Sequence, residues 1–161
     1  MRARLATAED NEAIRAIYNV EVLESTVTFD LVPRTPEQQA AWLSARSGAH
    51  AVIVAEHDGE VVGFASLSPY RDRPAYSTTV EDSVYVRRDC QGQGVGKLLL
   101  GELLQLATRH GFHAVVARIV GGHDASIALH RALGFEVVGT EREVGRKFGR
   151  WLDVEVMQLL L

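Results

Sequence analysis

Apolar positions along the chain recur with two periods, and the period changes from segment to segment. Ile14, Ile17 and Tyr18 stand at helical spacing, which predicts an amphipathic helix. Thr7 and Asp10 precede them at the separation of a capping box, so the helix begins near residue 7, after a short strand over 2–6. Thr35-Pro36-Glu37-Gln38 repeats the signal with a cap, a proline at the first helical position and a box partner. Trp42 and Leu43 anchor that second helix.

The texture changes at His50. Ala51-Val52-Ile53-Val54-Ala55 is a continuous apolar run, the pattern of a buried strand. Asp58-Gly59 is a hairpin turn signal, and Glu60 to Leu67 returns as the next strand. A third strand covers roughly 78–86. Leu98, Leu99, Leu103, Leu106 and Ala107 give residues 97–109 an apolar stripe, and Gly111 stops that helix. A strand over 114–120, a helix over 125–133 closed by Gly134, and strands at about 135–142 and 152–160 complete the chain. The order β-α-α-β-β-β-α-β-α-β-β has no linker, repeat or low-complexity segment. It predicts a single α/β domain over 1–161 with a mixed sheet.

Composition narrows the function. The chain has 161 residues, 47% hydrophobic and 24% charged, the profile of one ordinary globular domain. Its net charge of -4 argues against nucleic acid as a main partner. Arg71, Arg73, Arg87 and Arg88 nevertheless supply a local basic patch. Cys90 is the one cysteine, so there is no intrachain disulfide, and no histidine and acid are evidently arranged to activate it. The N-terminus lacks a signal-like apolar stretch, and no run approaches the ~20 residues that span a bilayer. A soluble, cytoplasmic protein without membrane attachment is expected. The six histidines form no ligand pattern; Gly111 separates His110 from His113, and no H-E-x-x-H occurs. No metal is expected.

Candidate chemistry begins at Gly92, Gly94 and Gly96, which alternate between the strand ending at Val86 and the helix starting near Lys97. Glycines let backbone approach a phosphate, and the free amides of a helix start favour an anion. The spacing fits neither common nucleotide loop. Gln91 stands where a P-loop needs its first glycine and Leu98 where it needs a hydroxyl; a dinucleotide fingerprint needs its third glycine one residue later. An anion-binding loop and a ligand-free turn both remain open.

In the preceding strand Val80, Val84 and Val86 share one face, and Glu81, Ser83 and Tyr85 the other. A glutamate on a strand buried on both faces has its pKa raised, which suits a general base; the alternative is a solvated glutamate paired with an arginine. Asp82 points to the opposite face. Tyr70-Arg71-Asp72-Arg73-Pro74-Ala75-Tyr76 reads as an exposed loop. Its arginines can hold a carboxylate by paired hydrogen bonds or simply face water.

Gln91-Gly92-Gln93-Gly94-Val95-Gly96 resembles the Q/R-x-x-G-x-G/A signature of the GNAT acetyltransferases, and the predicted element order matches their fold. The likeness narrows to the phosphinothricin and methionine sulfoximine acetyltransferases. It is carried by Thr26-Val27-Thr28-Phe29-Asp30, the segment from Thr79 to Val86, Ala125-Ser126-Ile127-Ala128-Leu129-His130, Leu133-Gly134-Phe135 and Gly149-Arg150-Trp151-Leu152-Asp153-Val154. The resemblance implies acetyl-CoA as cosubstrate, with Gln91 to Gly96 on its pyrophosphate. It implies a splayed central strand pair in which the backbone of Val84, Tyr85 and Val86 receives the pantetheine arm. It makes Glu81 the base and His130 either the acid for the departing thiolate or a packing and contact residue. Arg71, Arg73, Pro74, Ala75 and Tyr76 become candidates for binding an amino-acid-like substrate, and a homodimer is implied. Two positions depart from the pattern: His123 stands where an asparagine contacts CoA, and Phe148 where a histidine lies. The rival readings are acetylation of a protein N-terminus, lysine, polyamine or aminoglycoside, and a non-catalytic CoA-binding sensor.

Overall fold

The computed structural model describes residues 1–46 and 48–161. In chain order they form β1 (Arg2–Leu5), α1 (Asn11–Glu24), α2 (Pro36–Ser44), β2 (Val52–His57), β3 (Glu60–Pro69), β4 (Thr79–Val86), α3 (Val95–Arg109), β5 (Ala114–Val120), α4 (Asp124–Ala132), β6 (Glu136–Lys147) and β7 (Arg150–Leu160), with short 3-10 turns between. Both predicted capping boxes form, but the first closes a 3-10 turn over Ala8–Asp10 and α1 begins only at Asn11. The Thr7 amide donates to the Asp10 carboxylate at 2.8 Å, ahead of α1. The Gln38 amide donates to Thr35 Oγ1 at 3.1 Å, and the Thr35 amide donates back to Gln38 Oε1 at 2.9 Å. At the β2–β3 hairpin Asp58 and Gly59 have φ of 50° and 80°, the positive pair that a type I′ turn demands.

Three further boundaries differ from the sequence reading. α3 starts at Val95 rather than near Lys97, because Val95 is buried and joins the first turn. β6 and β7 extend toward each other, to Lys147 and from Arg150, where strands ending at 142 and starting at 152 were expected. They meet at Phe148 and Gly149, whose φ values of 52° and 70° make a second tight turn without an Asx-Gly signal. β6 is mostly exposed and shifts register twice against β7, so its alternation is broken and its length unreadable.

The seven strands form one mixed sheet in the order β1-β2-β3-β4-β5-β7-β6. On one face α3 packs Leu99, Leu100 and Leu103 against Val80, Val115 and Met157. On the other α1 packs Ile14, Ile17 and Tyr18 against Val52, Val54 and Phe64. The β4–β5 pair is parallel and registered only at Thr79↔Ala114, Val80↔Val115 and Glu81↔Val116. Beyond Glu81 the strands part, as the resemblance implied. Close approach of α3 to β3 depends on Gly63, where a Cβ would lie 2.9 Å from the Tyr85 carbonyl oxygen and 3.0 Å from Leu99. Gly63→Ala is therefore expected to lower stability by about 1–3 kcal/mol, read as an earlier urea midpoint.

Candidate active site

Where β4 and β5 separate, a cavity of about 370 Å³ opens between Asp82–Val86 and Ala117–Val120. Glu21 and Val27 close it on one side and His123, Ser126 and His130 on another. A second cavity of about 360 Å³ lies over the glycine loop and shares Val84, Val86, Gln91, His123 and Ser126 with the first. Half of the backbone amides and carbonyls of Asp82 to Val86 point away from β3 into a gap that β5 does not fill.

The loop is shaped as the glycine spacing suggested. Gly92 and Gly94 have φ of 74° and 87°, and nothing lies within 4 Å of the Cβ position at either. Gly96 sits where a Cβ would meet Leu129 at 3.1 Å, so it lets the first turn of α3 lie against α4. The side chains of Gln91 and Gln93 turn back on the loop, donating to the carbonyls of Val86 at 3.3 Å and Asp89 at 3.2 Å. They fix the loop, whose Gln91 amide donates to the Arg88 carbonyl. Gly94 caps α3, so the unpaired amides of a fifteen-residue helix face the second cavity.

Glu81 occupies the last paired position of β4. Burial pushes its carboxyl above the usual range; the Arg118 charge opposes this, and the Asp82 and Glu141 charges add to it. Arg118 Nε lies 3.6 Å from Glu81, and its Nη1 pairs with Glu141 at 2.5 Å. Tyr85, on the same face, stacks on Phe64 at 5.2 Å and meets Tyr18 edge-on at 5.3 Å. Its half-buried side chain packs against the α1-side core and lines the first cavity, and burial pushes its phenol far up.

Asp82 and His130 face each other on the opposite side of the sheet. Both are buried, with Nε2 2.8 Å from Asp82 Oδ2 and Nδ1 2.8 Å from the Ser126 carbonyl. A carbonyl only accepts, so Nδ1 carries a proton, and the Nε2–Oδ2 contact shares another. Burial works against the charged imidazole, but the Asp82 hydrogen bond and charge and the Ser126 carbonyl outweigh it and raise the His130 pKa. Both ring nitrogens are thus committed, while Asp82 Oδ1 is one of three buried side-chain polar atoms without a hydrogen-bond partner among the described residues, with Arg46 Nε and Glu141 Oε1. His123 precedes α4 and lines both cavities; burial lowers its pKa, with the Glu21 and Asp124 charges opposing and the His130 charge adding.

The 25–35 segment is pinned beside the first cavity. Tyr18 Oη is 2.9 Å from Thr28 Oγ1 and also donates to Asp30. Buried Lys147 donates to the Thr28 carbonyl at 2.9 Å. Phe148 next to it is exposed on the β6–β7 turn, outside the cavities. Arg71, Arg73, Pro74, Ala75 and Tyr76 lie on an exposed loop in which Arg71 sits 4.9 Å over Tyr70 and 5.9 Å from Tyr76; none of them lines the two cavities. Sequence reasoning missed Arg118, whose signal is a lone charge inside the apolar run of β5, and the buried partnership of Asp82 with His130.

A sheet split next to a glycine-capped helix, with a carboxylate at the split, is the arrangement that the resemblance to the GNAT acetyltransferases implies. Residues 14–135 match the acetyltransferase (GNAT) family, and the chain belongs to it. The chain is 43% identical over 160 residues to the L-methionine sulfoximine/L-methionine sulfone acetyltransferase of Pseudomonas aeruginosa, covering 98% of this chain and 93% of the relative. Its fold superposes on a ribosomal-protein-alanine N-acetyltransferase from Brucella melitensis with a TM-score of 0.98 at 41% identity and complete coverage of both chains. A phosphinothricin acetyltransferase from Sinorhizobium meliloti in complex with acetyl-CoA gives 0.95 at 42% identity, covering 99% of this chain and 87% of the other. The protein is an acetyl-CoA-dependent N-acetyltransferase. No helix among the described residues is long and apolar enough to cross a membrane, and none of them form a cluster that could hold a metal ion.

Proposed function

We propose that the chain acetylates the amine of a small amino-acid-like substrate of the methionine sulfoximine, methionine sulfone or phosphinothricin type, by direct attack in a ternary complex. The observation that carries the reading is the placement of Glu81 at the opening of β4 from β5, with a raised carboxyl pKa, next to the cavity whose β4 wall begins one residue on, at Asp82. The open loop over Gln91 to Gly96 fits the pyrophosphate of CoA, and the unpaired edge at Val84 to Val86 fits the amides of its pantetheine arm. His123 lines both cavities where they meet. Acetyl-CoA supplies the activated acetyl group.

Glu81 accepts a proton from the substrate ammonium, directly or through water, and so frees the nucleophile. Backbone amides near Val84 to Val86 hold the thioester oxygen as its charge grows. The proton at hand for the departing sulfur is the one that His130 shares with Asp82. Holding two reactants in one cleft supplies much of the rate. Residues 1–161 act as one catalytic domain, in a cytoplasmic homodimer, in this reading. The exposed Arg71–Tyr76 loop, whose residues line neither cavity, is in this reading a further candidate for contact with the substrate.

The likeness to the Brucella enzyme favours a second reading, acetylation of a protein N-terminus. One assay separates the two. Protein is mixed with acetyl-CoA and either methionine sulfone or peptides ending in free alanine or carrying lysine, and thiol release is followed. Release with methionine sulfone and none with peptides is the expected result; the reverse supports the second reading. No release with any of these amines would overturn both readings of the acceptor.

A further inference from the structure

We infer that Arg118 binds the carboxylate of the substrate while Glu81 faces its ammonium, so that this cleft selects amino acids over amines lacking a carboxylate. The inference rests on the amino-acid reading above and names the group that enforces it. Val115, Ala117 and Ile119 pack into the α3-side core, so alternation along β5 sends Arg118 to the face that carries Glu81. There it lines the first cavity.

Its contacts leave it available. Nε lies 3.6 Å from Glu81 and Nη1 is in ion-pair contact with Glu141 Oε1, an oxygen that has no hydrogen-bond partner among the described residues, and Nη2 takes part in neither contact. Arg88, the other arginine on the cavity, is committed to Glu21 at 2.8 Å and 3.4 Å and to Glu24 at 2.5 Å. Arg71 and Arg73 lie outside the cavity. A half-exposed ion pair contributes little to folding, so stability is a weak reason for an arginine in an otherwise apolar strand.

The separation suits the ligand. An α-amino acid carries ammonium and carboxylate on one carbon, so its two counter-charges must stand a few ångströms apart. Glu81 and Arg118 do so at 3.6 Å. A carboxylate can take the Nη2 edge without displacing Glu141, and a guanidinium offers it a directional, charge-assisted contact.

The test compares methionine sulfone with its C-terminal amide, which keeps the amine and loses the carboxylate charge. In Arg118→Gln the ratio of kcat/KM for the acid over the amide is expected to fall roughly 10- to 100-fold, mostly through KM for the acid. Any change in Glu81 basicity acts on both substrates and cancels in the ratio. An unfolding midpoint on the same sample separates this from loss of fold, and Arg118→Lys should keep part of the preference. An unchanged ratio in Arg118→Gln would overturn the assignment alone. A wild-type enzyme inactive on the amino acid would overturn the functional reading and this inference together.

Discussion

Glu81→Gln is expected to lower turnover by roughly 10²- to 10⁴-fold while acetyl-CoA binding persists. Glutamine keeps the volume of the side chain but cannot accept the proton. The wild-type carboxyl works only when ionised, and burial has pushed its pKa up. The wild-type rate should therefore fall as pH drops through that raised value. The variant loses this limb and follows the substrate's own amine, whose free form grows with pH, so the deficit is largest at low pH and narrows as pH rises. Rate–pH profiles of both proteins, with an acetyl-CoA titration by calorimetry, check the prediction. Equal turnover across the range would remove Glu81 from the role, and lost acetyl-CoA binding would make it structural.

What was legible in the sequence follows from how local each signal is. Thr7 with Asp10 and Thr35 with Gln38 act over three residues, and Asp58-Gly59 over two; each formed where expected. The glycine loop and the alternation of Glu81 against Val80 and Val84 are equally local. The β6–β7 turn was missed because Phe148 takes a positive φ that its residue type does not announce. The partners within the site were not legible. His130 meets Asp82 across 48 positions and Lys147 meets Thr28 across 119, and no periodicity spans such gaps. Asp82 was correctly set on the face away from Glu81, yet nothing local showed that the buried imidazole of α4 waits there.

That partnership leads to the largest stability effect. Asp82→Ala is expected to cost about 3–5 kcal/mol near pH 6, because it leaves a buried imidazolium without its counter-charge. The raised His130 pKa fixes the sign of the pH dependence. A group bound more tightly to its proton in the folded state contributes stability that is complete below its unfolded pKa, about 6.5 for histidine. That contribution disappears as pH rises through the folded value. Once pH has risen past the folded value the ring is neutral with its proton on Nδ1, Nε2 no longer donates to Asp82, and the variant has little left to lose there. Urea unfolding of both proteins at pH 6 and pH 9 measures the difference. Asp82→Asn sharpens the comparison, since its amide can donate to neutral Nε2 but cannot balance an imidazolium. It should approach wild-type stability at pH 9 and fall well short at pH 6. A deficit equal at both values, in both variants, would mean that packing alone holds the pair and that its shared proton is not there to be given to the sulfur.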